Sequence, residues 1–272
     1  MTTIIPTILT NENIIALTPA AGSFEPVAKA STRYSFVPTL TVVDALRDVG
    51  WFPISAEQSS ARQEERYGFQ QHMIRFAREG VATKGERVDM LLWNSHDLGS
   101  SFKLITSVWR YACGNGLMVS SEFANFTHRH VGFNLNELIH SAVEIAEASA
   151  SVSQQVEALK TITLTPNERG VFASSAHQLI YDEPKEAPVR PEQLLATRRY
   201  DDRRMDDLWT TFNIVQENII KGGVRGIKID GSCRPRRVTT RPVKALDRNV
   251  KLNQALWFLT EKMCELKSSD TN

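Results

Sequence analysis

The pattern of hydrophobic and polar positions changes in character near residue 134. Before it, short runs alternate or are continuously apolar over four to ten residues, which is typical of β-strands. These runs are 69–76, 88–93, 102–111 and 123–131. Asn115-Gly116 predicts a two-residue hairpin turn. One helix is expected over Val42–Val49, capped by Thr39 or Thr41 and ended by Gly50.

After residue 134 the apolar positions recur with a helical period. A long helix begins at Asn134 or Asn136, and Thr165-Pro166 predicts the start of another that runs to about Tyr181. Two more are expected at about 205–221 and 249–266. The fold class predicted is therefore α+β: a mixed, mainly antiparallel sheet in the N-terminal half, packed with helices, and a helical C-terminal half.

The same pattern gives a domain organisation. The first residues show no clear periodicity, and 182–191 is polar and proline-bearing. We predict a mobile N-terminal arm over 1–23, an α+β core domain over 24–181, a linker over 182–191 and a helical, basic region over 192–272.

Composition excludes several classes of protein. The 272 residues are 42% hydrophobic and 23% charged, as in ordinary globular proteins. No apolar run is long enough to cross a bilayer, so no membrane contact is expected. Three scattered cysteines without a CxxC motif predict a reducing, cytoplasmic location. GxxxxGK[ST] and GxGxxG are absent, which disfavours ATP-driven chemistry, and no cofactor is expected.

The net charge of +1 conceals an uneven distribution. Between Lys221 and Lys251 there are ten basic and two acidic residues, a net charge of +8, so the remainder carries −7. Four glycines lie in the same stretch. A local basic segment on a mildly acidic body is typical of a surface that binds phosphate, although a solvated surface loop would have the same composition.

Histidines and aromatic residues in the first half provide further candidates. His96 and Asp97, with the His128-x-His130 pair, could supply a general base or metal ligands. A polar turn at 94–101 and structural or phosphate-adjacent histidines explain the same residues more simply. Aromatic residues on the strands lie near Lys103, Arg110, Arg129 and His130, a combination that could hold single-stranded nucleic acid unless the rings form the core. If Arg110 is buried, it needs a partner such as Asp97 or an anionic ligand.

Several segments also occur in the order seen in a phage/plasmid-like protein family catalogued as a domain of unknown function, over roughly residues 24–260. The chain resembles that family in 24–34, 36–39, 44–46, 50–51, 69–72, 92–97, 110–117, 129–130, 216–218, 222–223, 239–242 and 252–257. It departs at Leu98, where a small residue, usually Gly, is expected. The resemblance implies a mobile-element protein associated with DNA recombination or replication. By analogy of fold to phage single-strand-annealing recombinases, it implies a homo-oligomer with other recombination or replication proteins as partners.

The leading hypothesis is an ATP-independent DNA-binding protein, without enzymatic activity, that prefers single strands and anneals them. Its predicted nucleic-acid-binding residues are Lys221, Arg225, Lys228, Arg234, Arg236, Arg237, Arg241, Lys103, Arg110, Arg129 and His130.

Two alternatives stay open at this point. One is a metal-dependent hydrolase or nuclease that uses His96, Asp97, His128 and His130. The other is a protein-binding module whose basic segment binds an acidic surface on a host or defence factor.

Overall fold

The computed structural model describes residues 7–61, 63–78, 86–110, 115–118, 126–183, 186–229 and 234–269. The chain divides into two compact units, Met1–Val152 and Ser153–Asn272. The predicted linker at 182–191 therefore lies inside the second unit, and helix 166–178 belongs to that unit rather than to the predicted core domain.

The first unit is built on an antiparallel sheet. Its strands are β1 (Phe52–Gln58), β2 (His72–Ala77), β3 (Glu86–Asn94), β4 (Phe102–Arg110), β5 (Asn115–Met118) and β6 (Phe126–His128). The order is β1-β2-β3-β4-β5, and β6 pairs with the beginning of β4. The α+β class is confirmed. The sequence pattern missed β1, an edge strand in which Pro53 lies beside a register shift, as is tolerated only at an edge or bulge.

Helices pack on one face of this sheet. They are α1 (Asn11–Leu17), α2 (Thr39–Asp48) and the first part of α3 (Leu135–Thr161). Alternate residues of β2, β3 and β4, such as Ile74, Leu92 and Leu104, are fully buried in one cluster with residues of these helices. The side-chain period of two along each strand places these residues on the same face of the sheet.

The predicted mobile arm is wrong from residue 7 onward. Thr10 and Asn13 cap α1 reciprocally, each side chain accepting from the other's backbone N–H at 3.2 Å. The backbone N–H of Leu9 donates to Pro53 O of β1. Ile14 is completely buried in the core. Ile14 is the one buried residue of this seven-residue helix, and a single buried position gives no periodicity that the sequence could reveal.

The predicted turn at Asn115-Gly116 is also wrong in detail. The β4–β5 hairpin exists, but Asn115 and Gly116 are strand residues that pair with Arg110 and Trp109. Residues 111–114, which include Tyr111 and Cys113, separate the two strands in the sequence and lie outside the described residues. The composition of the dipeptide favours a turn, but the register of β5 against β4 overrides it.

In the residues that the structure describes, the second unit contains three complete α-helices and a separate two-stranded sheet. The helices are α4 (Pro166–Gln178), α5 (Leu208–Ile220) and α6 (Leu246–Ser269), and the end of α3 also belongs to this unit. α5 is buried on all sides from Leu208 to Ile219, and the Phe212 ring contacts both Trp209 and Trp257. Thr165 caps α4 as predicted, with Pro166 in the first turn. Strands β7 (Arg225–Ile229) and β8 (Pro235–Thr239) follow α5. Among the described residues, no helix is long and apolar enough to span a membrane.

The burial of α1 leads to a stability prediction. Ile14→Ala should lower the free energy of unfolding by roughly 2–5 kcal/mol, because it removes methyl groups from a filled core. The neighbouring Ile15, 40% exposed, provides the matched control, and Ile15→Ala should cost well under half as much. Urea denaturation followed by tryptophan fluorescence measures both. Equal, small losses for the two variants would show that residues 7–23 form a mobile arm after all.

Candidate nucleic-acid interface

Strands β7 and β8 form an antiparallel two-stranded sheet, which we call the ribbon. Its register pairs Lys228 with Arg236, Ile227 with Arg237 and Ile229 with Pro235. Directly opposite residues lie on the same face, and successive residues alternate between faces. One face therefore presents Lys228 and Arg236, and the other presents the following residues: Arg225, Ile227, Ile229, Pro235, Arg237 and Thr239.

Most of the predicted basic residues lie on or beside the ribbon and are exposed. The exposed ones are Arg225, Lys228, Arg234, Arg236, Arg237 and Arg241. Within the described part of the chain, no carboxylate lies within ion-pair distance of Arg225, Lys228, Arg236, Arg237 or Arg241. The sequence therefore correctly located a concentration of basic side chains, but it did not predict that they lie on strands. Alternation in Arg225–Ile229, followed by Asp230-Gly231, was the signal available.

Two members of the basic segment, Lys221 and Lys251, form ion pairs. The Lys221 ammonium is 3.1 Å from a Glu217 carboxylate oxygen, and Lys251 is 3.1 Å from Asp247. Glu217 is also bound by both terminal guanidinium nitrogens of Arg199. Burial raises the pKa of Glu217, but the hydrogen bonds from Arg199 and Lys221 outweigh burial and hold it below its usual range. Lys221 is thus part of the support of α5 rather than an unpaired surface charge.

The base of the ribbon is held by glycine geometry and backbone hydrogen bonds. Gly222 and Gly223 have φ of 61° and 82°, the left-handed region that favours glycine. A Cβ on Gly222 would also overlap the backbone of Arg241. Gly223 N–H donates to Thr240 O at 2.8 Å, and Thr240 N–H donates to Val224 O at 2.9 Å. These contacts turn the chain out of α5 and bring the two strands together.

A second set of contacts fixes the outer edge of β7. Ile227 N–H donates to Pro188 O at 2.7 Å, and the Gln193 side-chain amide donates to Arg225 O at 2.7 Å. Gly226 lies so close to Pro188 that a Cβ would overlap its carbonyl oxygen. The predicted linker 182–191 therefore contains the segment that holds one edge of the ribbon, while both faces stay accessible.

The predicted binding residues of the first unit are placed differently. Lys103 and Arg110 are half-buried on β4, opposite Trp93 and Glu86 respectively, whereas Arg129 is exposed. Asp97, considered as a partner for Arg110, instead accepts hydrogen bonds from Arg66.

The rings expected to stack on bases lie largely in the interior. Trp93 and Phe102 are buried, and the Arg75 guanidinium lies 3.6 Å from the centroid of the Trp109 ring. Phe126 contacts Phe102 at 6.4 Å between ring centroids. Phe123 and Tyr111 lie outside the described residues. The strand alternation that brings these rings together also turns them into the packed protein rather than toward a ligand.

His72 and His96 form a buried polar cluster with Thr39 and Asn94. The Thr39 hydroxyl oxygen lies 2.8 Å from Nε2 of His72 and 3.2 Å from Nε2 of His96. The Asn94 side-chain amide donates to the same hydroxyl and to Val37 O, both at 3.0 Å. Thr39, expected as a helix cap, is the first residue of α2 and uses its hydroxyl here instead.

This network fixes the tautomers of both histidines. Nδ1 of His72 is 2.9 Å from the carbonyl oxygen of Gln70, so it carries the proton, and Nε2 must accept the hydroxyl proton of Thr39. Thr39 has one proton to donate, and Nε2 of His96 must therefore donate to its oxygen. Burial lowers the pKa of His72 to about 4; burial, followed by the neighbouring His72 and His130, lowers the pKa of His96 to about 3. Both rings are uncharged at neutral pH.

In the neighbouring connection between β3 and β4, Ser95, His96 and Asp97 are buried, whereas Leu98 and Gly99 are exposed. The carboxylate of Asp97 accepts from Arg66 and from Gly99 N–H, the latter at 2.8 Å. Leu98 has φ of 65°, which is unfavourable for a side chain with a Cβ, and this explains why a small residue is expected at this position. Residues 94–101 therefore form a tightly bonded polar connection.

The four candidate metal ligands have other partners. His130 is buried and stacks on Tyr34 at 4.7 Å between centroids, and the His128 ring stacks on Phe126. Burial lowers the pKa of His130 despite hydrogen bonds to the Ser35 and Ser100 backbone. In the ranges that the structure describes, no three His, Cys, Asp or Glu side chains converge as metal ligands. His130 is therefore not part of the exposed basic surface.

The fold and site thus define an α+β protein that carries an exposed basic ribbon. A family model described as "Domain of unknown function (DUF932)" matches residues 26–257, and the chain belongs to this family. Two relatives from Escherichia coli (strain K12) are UPF0380 protein YfjQ and UPF0380 protein YafZ. Each is 33% identical over 255 residues, which cover 94% of this chain and 91% of the relative. No solved structure matches significantly.

The buried histidines predict that acid destabilises the first unit. In the unfolded chain they bind protons as the pH falls below about 6.5, while in the folded protein they resist protonation until about pH 4 and below. The free energy of unfolding should therefore fall as the pH is lowered from about 6.5 to about 4. Urea denaturation across this range measures it.

The matched control replaces both rings with groups that do not titrate. His72→Gln with His96→Gln can retain hydrogen bonds to Thr39, and its unfolding free energy should depend less steeply on pH over the same interval. Identical slopes for the two proteins would contradict the assignment of the pH dependence to these histidines.

Proposed function

We propose that this chain is a DNA-binding protein that contacts phosphates through the basic ribbon, without ATP, and that it prefers single strands. The observation that carries the proposal is the cross-strand pairing of Lys228 with Arg236 on an exposed face. Like charges directly opposite each other destabilise a strand pair, by roughly 0.2–1 kcal/mol in typical cases. An anion that binds between the two side chains removes this repulsion.

The arrangement supports phosphate as that anion. Arg237 and Arg225 add positive charge on the opposite face, and Arg234 and Arg241 lie just outside the two strands. A two-stranded ribbon is narrow enough to enter a groove of DNA or to lie along a single strand. Strands that expose cations on both faces can contact more than one segment of backbone, which is also what annealing of two strands requires.

Two further expectations accompany this proposal. Assembly into a homo-oligomer and annealing of complementary strands follow from the analogy drawn from the sequence. Size-exclusion chromatography and an annealing assay in the absence of ATP test them. Neither result alters the test of binding itself, because phosphate contacts by the ribbon need only one copy of the chain.

The proposed function predicts how binding depends on salt. Arg236→Ala should weaken binding to a single-stranded oligonucleotide and reduce the slope of log K against log [salt] by about 0.7, since one fewer counterion-releasing contact is made. Replacing Arg234, Arg236, Arg237 and Arg241 together should abolish binding at physiological salt. Fluorescence anisotropy between low and high salt gives both quantities.

Lys251→Ala is the matched control, because it removes a cation of the same segment that is paired with Asp247 on α6. Its affinity should change by less than about twofold, as expected for a charge that does not contact phosphate. A quadruple variant that binds as well as the unmodified protein refutes the proposal. If the chain captures an acidic protein even after nuclease treatment, and the chain itself does not bind DNA, the protein-binding alternative is favoured.

A further variant separates the effect of Arg236 on folding from its effect on binding. Arg236→Glu replaces a repulsive cross-strand pair with an attractive Lys228–Glu pair, so thermal stability should stay the same or rise slightly. DNA affinity should nevertheless fall more than for Arg236→Ala, because the new charge repels phosphate. Thermal denaturation and anisotropy on the same sample provide the comparison. Loss of stability together with loss of affinity would mean that Arg236 acts in folding.

A further inference from the structure

The ribbon exposes apolar side chains as well as cations. Ile227 and Ile229 are 60% and 67% exposed, and Pro235 is exposed as well. All three lie on one face, because Ile229 pairs directly with Pro235 and Ile227 lies two residues before Ile229 on the same strand. An apolar cluster on a hairpin that is otherwise so polar is not explained by packing within the described residues.

The cations around this cluster limit what can cover it. Arg237 lies directly opposite Ile227, and Arg225 is two residues before Ile227 on the same face. A partner must therefore present apolar surface flanked by negative charge at close spacing. Nucleic acid has this chemistry, because the faces of its bases are apolar and lie between phosphates.

We infer that Ile227, Ile229 and Pro235 insert against or between bases while Arg225 and Arg237 bind the adjoining phosphates. This inference rests on the proposed DNA-binding function and assigns the origin of its strand preference. Compact apolar side chains such as Ile and Pro can serve as wedges between base steps. Insertion requires the bases to separate, which costs more in an intact duplex than in a strand whose bases are already unstacked.

Selectivity for unstacked bases therefore follows from the apolar face, whereas overall affinity follows from the cations. The face that carries Lys228 and Arg236, on which Val238 is half-buried, contributes mainly charge and should bind single and double strands alike. This division does not need the aromatic side chains of the first unit, two of which, Trp93 and Phe102, are buried.

The test compares the unmodified protein with the variant Ile227→Thr/Ile229→Thr. Threonine keeps the β-branched shape that strands favour, so the ribbon should stay folded while its apolar surface is reduced. The probes are a single-stranded DNA oligonucleotide that contains 2-aminopurine and the same oligonucleotide in a duplex. Val171→Thr, at an exposed apolar position of α4 in the same unit, is the matched control.

We expect the double variant to lose at least about tenfold in single-strand affinity, with duplex affinity changed by less than about twofold and the salt slope unchanged. The rise in 2-aminopurine fluorescence on binding should be lost as well. Val171→Thr should behave like the unmodified protein. Arg236→Ala should weaken binding to both probes equally.

An unchanged ratio of single-strand to duplex affinity in the double variant overturns the inference but leaves the proposed function intact, provided that Arg236→Ala still weakens binding. If neither probe binds to the unmodified protein at low salt, the proposed function itself fails. Circular dichroism and thermal denaturation of the double variant show whether the ribbon has been preserved. If the threonine substitutions disrupt the ribbon, Ile227→Val/Ile229→Val gives the same comparison with a smaller expected loss of single-strand affinity. An unchanged ratio of single-strand to duplex affinity again overturns the inference.

Discussion

A two-stranded ribbon is only marginally stable alone in water, so its arrangement depends on how its base and edge are held. Here the chain leaves buried helix α5 through Gly222 and Gly223, two positive-φ positions, and the strands close through backbone bonds between 223–224 and Thr240. Gly226 then allows β7 to approach Pro188 more closely than any residue with a Cβ could. Three glycines in the basic segment thus have a geometric reason, and the cations project from a backbone that the rest of the second unit fixes.

Because contacts with the rest of the second unit fix the backbone of the ribbon, its exposed side chains have little effect on folding. Their types can therefore be suited to binding a ligand. Lys228 opposite Arg236 and exposed Ile227 beside Arg237 are both unfavourable in free solution. Such unfavourable features are expected at functional sites, where binding of a partner compensates for them. The buried polar cluster of the first unit shows the opposite situation: Thr39, His72 and Asn94 satisfy one another internally, and they specify how α2 docks on β2 and β3.

The sequence predicted the α+β class, helices α2 to α6 and the concentration of cations, because these depend on local periodicity and composition. It did not predict β1, whose Pro53 disfavours a strand, or the placement of Asn115-Gly116 within β5, because both are determined by pairing with a distant strand. The role of Thr39 was missed for a related reason. Its place just before an apolar run predicts a helix cap, whereas only the tertiary fold brings His72 and His96 to its hydroxyl. The alternation of apolar and polar residues in Arg225–Ile229 was a signal for a strand of the ribbon. Glycine and charged residues, which are more typical of a surface loop, dominate the composition of this segment and obscured that signal.

The distribution of charge connects these points to function. A body that carries −7 outside the basic segment repels a polyanion, so the attraction of a +8 segment is focused where its cations are exposed. Lys221 and Lys251 reduce that attraction because each is neutralised by a carboxylate nearby. Among the described residues, Arg225, Lys228, Arg236 and Arg237 have no carboxylate within ion-pair distance, and these four lie on the two faces of the ribbon. Cations held on a fixed scaffold therefore favour a phosphate ligand. The near-neutral whole-chain charge is only the sum of the +8 segment and the −7 remainder, and it says nothing of this local concentration.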